Sequence, residues 1–377
     1  SSIINPSYGT EIGEVLYATK DSANAAVESA YEASKAWAKT GLSFRAELIL
    51  KFRQGIINRS VEIVDICISE AGKTRPDAEA ELDRAVQALT HAAGVQHFFP
   101  TNYSQNVAGG IDIADLRFPI GVVAGVGPFN FPILIPILHS AMALVTGNTY
   151  IAKPSEKVPS ISRLYADIWK EAGLPDGCYN VLNGEKEIVE LLVRHEKVDG
   201  LAFIGSTAAA KSLKMLGVEH NTKVQALGGG KNHMIVLPDA DLDMSADAAV
   251  SASFGAAGQR CMAVSVVVAV GDIADDLISK IQSRMPNLVM GVTDDEKTQL
   301  GPVISQVNKD RIYSFIDSAE PDGASLVVDG RHRSNSLEGC FVGPTLIDNV
   351  KPGMSVYENE IFGPVLCLSL IHISEPT

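Results

Sequence analysis

Cys261 lies in the run FGAAGQRCMAV, where Gly255, Ala256, Ala257 and Gly258 leave little bulk around it. Arg260 stands beside it, and a neighbouring guanidinium favours the thiolate over a free thiol of pKa about 8.5. A lone cysteine is more often a small buried hydrophobe. The small-residue run and the arginine weigh toward a nucleophile. Asn130 sits in PFNFP, a polar group between two phenylalanines and two prolines. It needs a partner there, either local backbone or a developing oxyanion. Lys153 and Glu156 in AKPSEK provide an ammonium that donates and a carboxylate that accepts. Such a pair suits ribose hydroxyls as well as a solvated loop. Ser206 in FIGST precedes a helical pattern. It can cap that helix or meet a pyrophosphate oxygen at its N-terminus.

Other patterns fail. Gly125 and Gly127 follow an apolar run, but Pro128, Phe129 and Asn130 come next, so the GxGxxG dinucleotide fingerprint is absent. Gly72-Lys73-Thr74 ends like a phosphate loop, yet Cys67 occupies the place of its first glycine. There is no CxxC pair and no HExxH, which predicts no structural or catalytic metal. The five cysteines are scattered, as in a reduced intracellular protein.

Positioning these residues requires a frame, and the hydrophobic pattern supplies one. The N-terminal part reads as helices, with Asp21 as the cap of SANAAVESAYEASKAWAK. Residues 100–117 turn polar and mixed, like a hairpin excursion. A regular α/β alternation follows, with strands at GVVAGV, TYIAKP, CYNVLN, VDGLAFIG and KVQALG. That is the signature of an open parallel sheet covered on both faces. A second alternation has strands at NHMIVLP, AVSVVVAV, SLVVD and CFVGPTLID. The boundary between them is placed near Gly228 to Lys231. Residues 118–152 carry no Asp, Glu, Lys or Arg, but Pro128, Pro132 and Pro136 break the run. It reads as buried strand, helix and strand, not as a membrane span.

The chain has 377 residues, 46% apolar and 20% charged, with a net charge of −14. This is globular composition, and the acidic balance argues against a polyanion-binding protein. No signal peptide is read at the N-terminus, and without an initiator Met the chain reads as trimmed or as beginning mid-protein. The end, LSLIHISEPT, matches the translation of a common transposon-end sequencing adapter. Residues 368–377 are therefore expected to be a non-native tail, with an ordinary C-terminal strand as the alternative.

Ten ordered stretches together resemble the aldehyde dehydrogenase superfamily: INPSYGTEIGEV, PFNFP, KPSEK, GLPDGCYNVLNG, FIGST, GGKN, GQRC, LGPVIS, GPTLI and ENEIFGPV. The resemblance implies an α/β fold with an open parallel-sheet NAD domain (1–99 and 118–228), an oligomerisation hairpin (100–117) and an α/β catalytic domain (229–367, incomplete). It implies Cys261 as nucleophile and Asn130 as oxyanion donor. Gly127, Phe129, Lys153, Glu156, Lys157, Ser206, Gly228 and Glu360 would bind NAD. Hydrolytic members carry a water-activating glutamate where this chain has Leu227. The sequence instead resembles the CoA-acylating branch, the methylmalonate-semialdehyde dehydrogenases, which implies Arg84 and Arg260 on the substrate carboxylate and coenzyme A as acyl acceptor. The implied reaction is NAD-dependent oxidative decarboxylation of methylmalonate or malonate semialdehyde to propionyl-CoA or acetyl-CoA through a Cys261 thioester. The alternatives are a CoA-independent hydrolytic enzyme, or an inactive truncated fragment or binding protein of the same fold. The expected partners are a small anionic aldehyde and further copies of the full-length parent, as homotetramer or homodimer, with no nucleic acid and no membrane. The expected location is the bacterial cytoplasm or, in a eukaryote, the mitochondrial matrix.

Overall fold

The computed structural model describes residues 1–99 and 101–371. Contacts divide the chain into two units. The first comprises Ser1, Glu14–Ile66 and Glu79–Gly228; the second comprises Ser2–Gly13, Cys67–Ala78 and the chain from Gly229 onward.

The first unit holds a five-stranded sheet in the order Tyr179–Val181, Thr149–Lys153, Val122–Val126, Gly200–Ile204, Lys223–Leu227. Every neighbouring pair is parallel. All five residues of Thr149–Lys153 are buried, so both faces of that strand are covered, as a parallel sheet requires. The core draws on Val122, Ala124, Ile151 and Leu201 from the strands and on Ala23, Val27, Leu192 and Leu213 from helices. Gly125 has a packing role. A Cβ there would fall 1.9 Å from the Tyr150 hydroxyl, so only glycine lets the ring lie across the strand. The charge-free stretch resolves into the Val122–Val126 strand, the Leu134–Val145 helix and the Thr149–Lys153 strand. Among the described residues no helix is long and apolar enough to cross a membrane. The hairpin excursion contains the antiparallel strands Tyr103–Ala108 and Ile111–Ala114, every residue of which is exposed.

The first helix departs from the sequence reading. It runs Lys20–Trp37, and its cap is Thr19, not Asp21. The Thr19 Oγ1 accepts from the Ser22 N–H at 3.2 Å while the Thr19 N–H donates to Ser22 Oγ at 2.8 Å. That reciprocal box satisfies two otherwise unpaired donors.

The second unit holds a five-stranded sheet in the order Asn232–Val236, Val264–Val270, Val365–Ile371, Thr345–Asp348, Ser325–Val328. It is parallel except for its last pair, which is antiparallel. The Thr345–Asp348 strand is shorter than CFVGPTLID suggests. Gly343 lies so close to Gly330 that a Cβ would be 2.0 Å from the Gly330 carbonyl oxygen, and Pro344 lacks a donor, so pairing starts only at Thr345.

One correction concerns boundaries. Ser2–Gly13 and Cys67–Ala78, read as parts of the first domain, pack within the second unit. The Cys340 N–H donates to the Pro6 carbonyl at 2.9 Å, and Ser7 Oγ meets Thr293 Oγ1 at 3.0 Å in a buried pair. Gly72 fits against Pro6 and Pro302, with no space for a side chain. The expected tail overlaps a strand. Leu368–Ile371 continue the Val365–Ile371 strand, with Leu368 opposite Val267 and Ile371 opposite Val270. Leu368 is fully buried. Ser369 is buried beside it, while Leu370 is 44% exposed, so the strand expected as the alternative is formed as far as Ile371. The rest of the expected tail, 372–377, lies outside the described residues.

Candidate active site

In the first unit the candidate residues sit at the carboxyl ends of parallel strands. Gly127 and Asn130 follow Val122–Val126, Lys153 ends Thr149–Lys153, Ser206 follows Gly200–Ile204, and Gly228 follows Lys223–Leu227. Asn130 is 6% exposed. The turn that carries it is anchored by Glu81, itself 3% exposed. The Glu81 carboxylate accepts the N–H groups of Ile133 and Leu134, each at 2.8 Å. An apolar Ile133 cannot cap the Leu134–Val145 helix, so a carboxylate from another helix does. Tyr165 adds a hydroxyl bond to the Ile133 carbonyl at 3.0 Å. Sequence reasoning missed Glu81, because its only signal was an acid on an amphipathic helix far from PFNFP in the chain.

Lys153 is not the solvated lysine that its loop suggests. It is 5% exposed, and burial pushes its ammonium below the ordinary lysine range, opposed by Glu156 and Glu185. Its Nζ lies 3.8 Å from Glu156 Oε2. Lys157 is half-buried beside them. The Ser206 Oγ accepts from the Ala209 N–H at 3.3 Å and so caps Thr207–His220. Its own proton is still available to an acceptor. Gly228 backs onto Thr207, whose Cα would lie 3.0 Å from an added Cβ. A helix N-terminus with Gly228 against it and a buried ammonium supply donors, and the Glu156 carboxylate supplies an acceptor, a set that suits a dinucleotide. Arg84 lines an open groove of about 400 Å³ between the Arg75–Ala93 and Leu134–Val145 helices, with Gln87, His91, Leu134, Leu138 and Met142.

In the second unit Lys231, Cys261 and Glu360 precede the strands Asn232–Val236, Val264–Val270 and Val365–Ile371, which are parallel neighbours. Cys261 is exposed, and the other four cysteines are buried. Burial pushes the Cys178 thiol up to about 12 and the Cys367 thiol up to about 11, which leaves them poor nucleophiles at neutral pH. Asn232 Nδ2 donates to the carbonyls of Cys261 at 2.8 Å and Ala263 at 2.9 Å, pinning the Cys261 turn from both sides. The residues before it are strained. Ala256 and Ala257 take φ of +50° and +53°, and Gly258 takes +68°. Gly258 presses on the turn after Glu360, where a Cβ would stand 2.1 Å from the Gly363 carbonyl oxygen. The Arg260 guanidinium, read as a charge beside the thiol, is bound by Asp77.

Glu360 lies over the Gly229–Gly230 backbone. A Cβ on Gly229 would be 1.8 Å from its Oε2, and the Gly230 N–H donates to it. Burial holds the Glu360 carboxyl above the usual range, against the pull of that N–H, Arg311 and Lys231. Arg311 Nη2 donates to the Ile361 carbonyl at 2.6 Å, and Lys231 Nζ donates to the Asn359 carbonyl at 2.8 Å. Asn232, Arg311 and Lys231 hold the Cys261 and Glu360 segments by hydrogen bonds, and sequence reading did not assign them. Among the described residues there is no group of three or more His, Cys, Asp or Glu that could hold a metal.

The sequence pattern of the aldehyde dehydrogenase family matches residues 1–375. The chain belongs to the aldehyde dehydrogenase family. Among its aldehyde dehydrogenase relatives, the malonate-semialdehyde dehydrogenase of Bacillus pumilus is 39% identical over 375 residues, covering 99% of this chain and 76% of that protein. The crystal structure of methylmalonate-semialdehyde dehydrogenase from Oceanimonas doudoroffii superposes with a TM-score of 0.96 at 39% identity, over 99% of this chain and 77% of that one. A protein described as a methylmalonate-semialdehyde dehydrogenase from Sinorhizobium meliloti 1021, complexed with NAD, gives a TM-score of 0.95 at 40% identity, over 99% of this chain and 76% of that one.

Proposed function

We propose that this aldehyde dehydrogenase oxidises methylmalonate or malonate semialdehyde and passes the acyl group to coenzyme A. The observation that carries the reading is Cys261, the exposed cysteine, held by Asn232 on a strained turn. The names of the relatives support the substrate class. Cys261 Sγ attacks the aldehyde carbon, and its own N–H with the Asn130 amide holds the oxyanion. Arg84 and Arg260 take the substrate carboxylate. Gly127, Phe129, Lys153, Glu156, Lys157, Ser206, Gly228 and Glu360 would hold NAD, which supplies the hydride acceptor. Loss of hydride would leave a thioester on Cys261; the β-carboxylate departs as carbon dioxide, its C–C bonding pair passing to the α-carbon, which takes a proton from solvent, and the CoA thiolate then displaces the Cys261 thiolate. Leu227, 51% exposed, offers no base for water, so the thioester persists until a thiol arrives. The exposed hairpin Tyr103–Ala114, with Ile111 and Ile113 in solvent, suits assembly with further copies.

The test is NADH formation from malonate semialdehyde with and without coenzyme A. Strong CoA dependence, abolished in Cys261→Ala and relaxed in Leu227→Glu, is the expected result. Equal turnover to free acid without coenzyme A sinks the acylating reading.

A further inference from the structure

Arg260 meets a second residue that its neighbours in sequence do not announce. Its Nη2 donates to Asp77 Oδ1, with the carboxylate mostly and the guanidinium two-thirds buried. Asp77 sits in the first turn of the Arg75–Ala93 helix, and its other oxygen, Oδ2, accepts from Thr74 Oγ1 at 3.0 Å. The Asp77 N–H returns a long bond to that Thr74 oxygen, 3.4 Å. A reciprocal pair of this kind fixes the carboxylate as the helix cap is fixed. The guanidinium is also confined from below, because a Cβ on Gly255 would fall 2.6 Å from Nη1, 2.8 Å from Cζ and 2.9 Å from Nη2. Asp77 thus takes one amino group of Arg260, and no described residue bonds the Nε–H or Nη1. A guanidinium held at Nη2 keeps its remaining N–H groups in a fixed direction for a second carboxylate, with less rotamer freedom to lose on binding.

We infer that Asp77 is a positioning residue that acts through Arg260 to orient the guanidinium toward the substrate's carboxylate. This rests on the reading of Arg260 as a carboxylate ligand. Removing the anchor also removes a negative charge near the anion, an opposing effect. Orientation is expected to win, because Asp77 Oδ2 is turned to Thr74 and Oδ1 is already engaged.

The measurement is kcat/KM for malonate semialdehyde against propanal, a neutral aldehyde of the same carbon count. In Asp77→Asn the preference for the anion should fall about 10-fold, while propanal turnover stays within about twofold of the parent. Asp77→Glu should restore part of the preference, and Asp77→Asn should add nothing in an Arg260→Ala background. An unchanged preference, or the same fall without Arg260, overturns the inference. So does an equal loss on both aldehydes with a lowered melting temperature, the mark of a helix cap alone, which Thr74→Ala would reproduce. If Arg260→Ala itself leaves the preference intact, the reading of Arg260 fails, and the role of Asp77 with it.

Discussion

The two parallel sheets present their chemistry at opposite ends of their strands. In the first unit Asn130, Lys153, Ser206 and Gly228 lie at or past carboxyl ends; in the second, Lys231, Cys261 and Glu360 lie before amino ends. The carboxyl edge is the ordinary ligand edge of an open α/β sheet, where helix N-termini converge with unspent N–H groups. The amino edge has no such supply. Its turns expose carbonyls instead, and side-chain donors answer them: Asn232 to Cys261 and Ala263, Arg311 to Glu360 and Ile361, Lys231 to Asn359. The first edge is therefore suited to receive an anion, and the second to hold reactive side chains still.

The contrast breaks most visibly under removal of one reacting group from each edge. Cys261→Ala should lower kcat for NADH formation by at least about 10⁴-fold, since the nucleophile has no substitute. Asn130→Ala should cost about 10²- to 10³-fold, the usual scale for one oxyanion donor. A larger loss at Asn130 than at Cys261 would reverse the assignment of roles.

The same single methyl should be felt unequally at the two edges. Gly258→Ala places a Cβ 2.1 Å from the Gly363 carbonyl oxygen at φ of +68°, and should cost about 3 kcal/mol or more in denaturant unfolding. Gly127→Ala meets only Pro136 Cγ at 3.7 Å, and should stay within about 1 kcal/mol. Comparable losses would mean that the amino-edge turn relaxes freely.

Each edge also buries a charge against its preference, with opposite pH signs. Lys153 has a lowered folded pKa, so the unfolded chain binds more protons between that value and the ordinary lysine range. Its contribution to stability rises with pH through that window. Glu360 has a raised folded pKa, so the folded chain binds more protons above the ordinary glutamate range. Its contribution falls as pH rises toward its folded value, and the penalty is present above it. Lys153→Met and Glu360→Gln should each raise the melting temperature at neutral pH while weakening NAD binding. A drop in melting temperature for either would show that the buried charge is over-compensated by its partners. The smallest effect is expected at Ser206. Ser206→Ala should cost about 1 kcal/mol as a lost cap, and Ser206→Gly a few tenths. NAD titration of the two variants separates capping from contact with the cofactor, because the cap costs differ and the missing hydroxyl is the same.

The strands of both sheets were legible because each is an apolar run with turn residues at its ends, and burial on both faces leaves such runs few other uses. Cys261 and Asn130 stood out as candidates because each sits oddly for its surroundings. The supports did not. Glu81 lies far from Ile133 in the chain, and Asp77 from Arg260, so nothing local marks either partner. Thr19 displaced Asp21 as a cap because a reciprocal bond with Ser22 outweighs a single acidic side chain.

By itself the sequence determined the alternation of strands and helices and singled out Cys261 and Asn130 as candidates, since residue type and local period carry that information. Tertiary structure decided the rest. It assigned Ser2–Gly13 and Cys67–Ala78 to the second unit, buried Lys153, tied Arg260 to Asp77 and set the second site at the amino edge. Each of those outcomes depends on which distant groups come within bonding distance, and hydrogen bonds and close packing act over a few ångströms, whatever the separation along the chain.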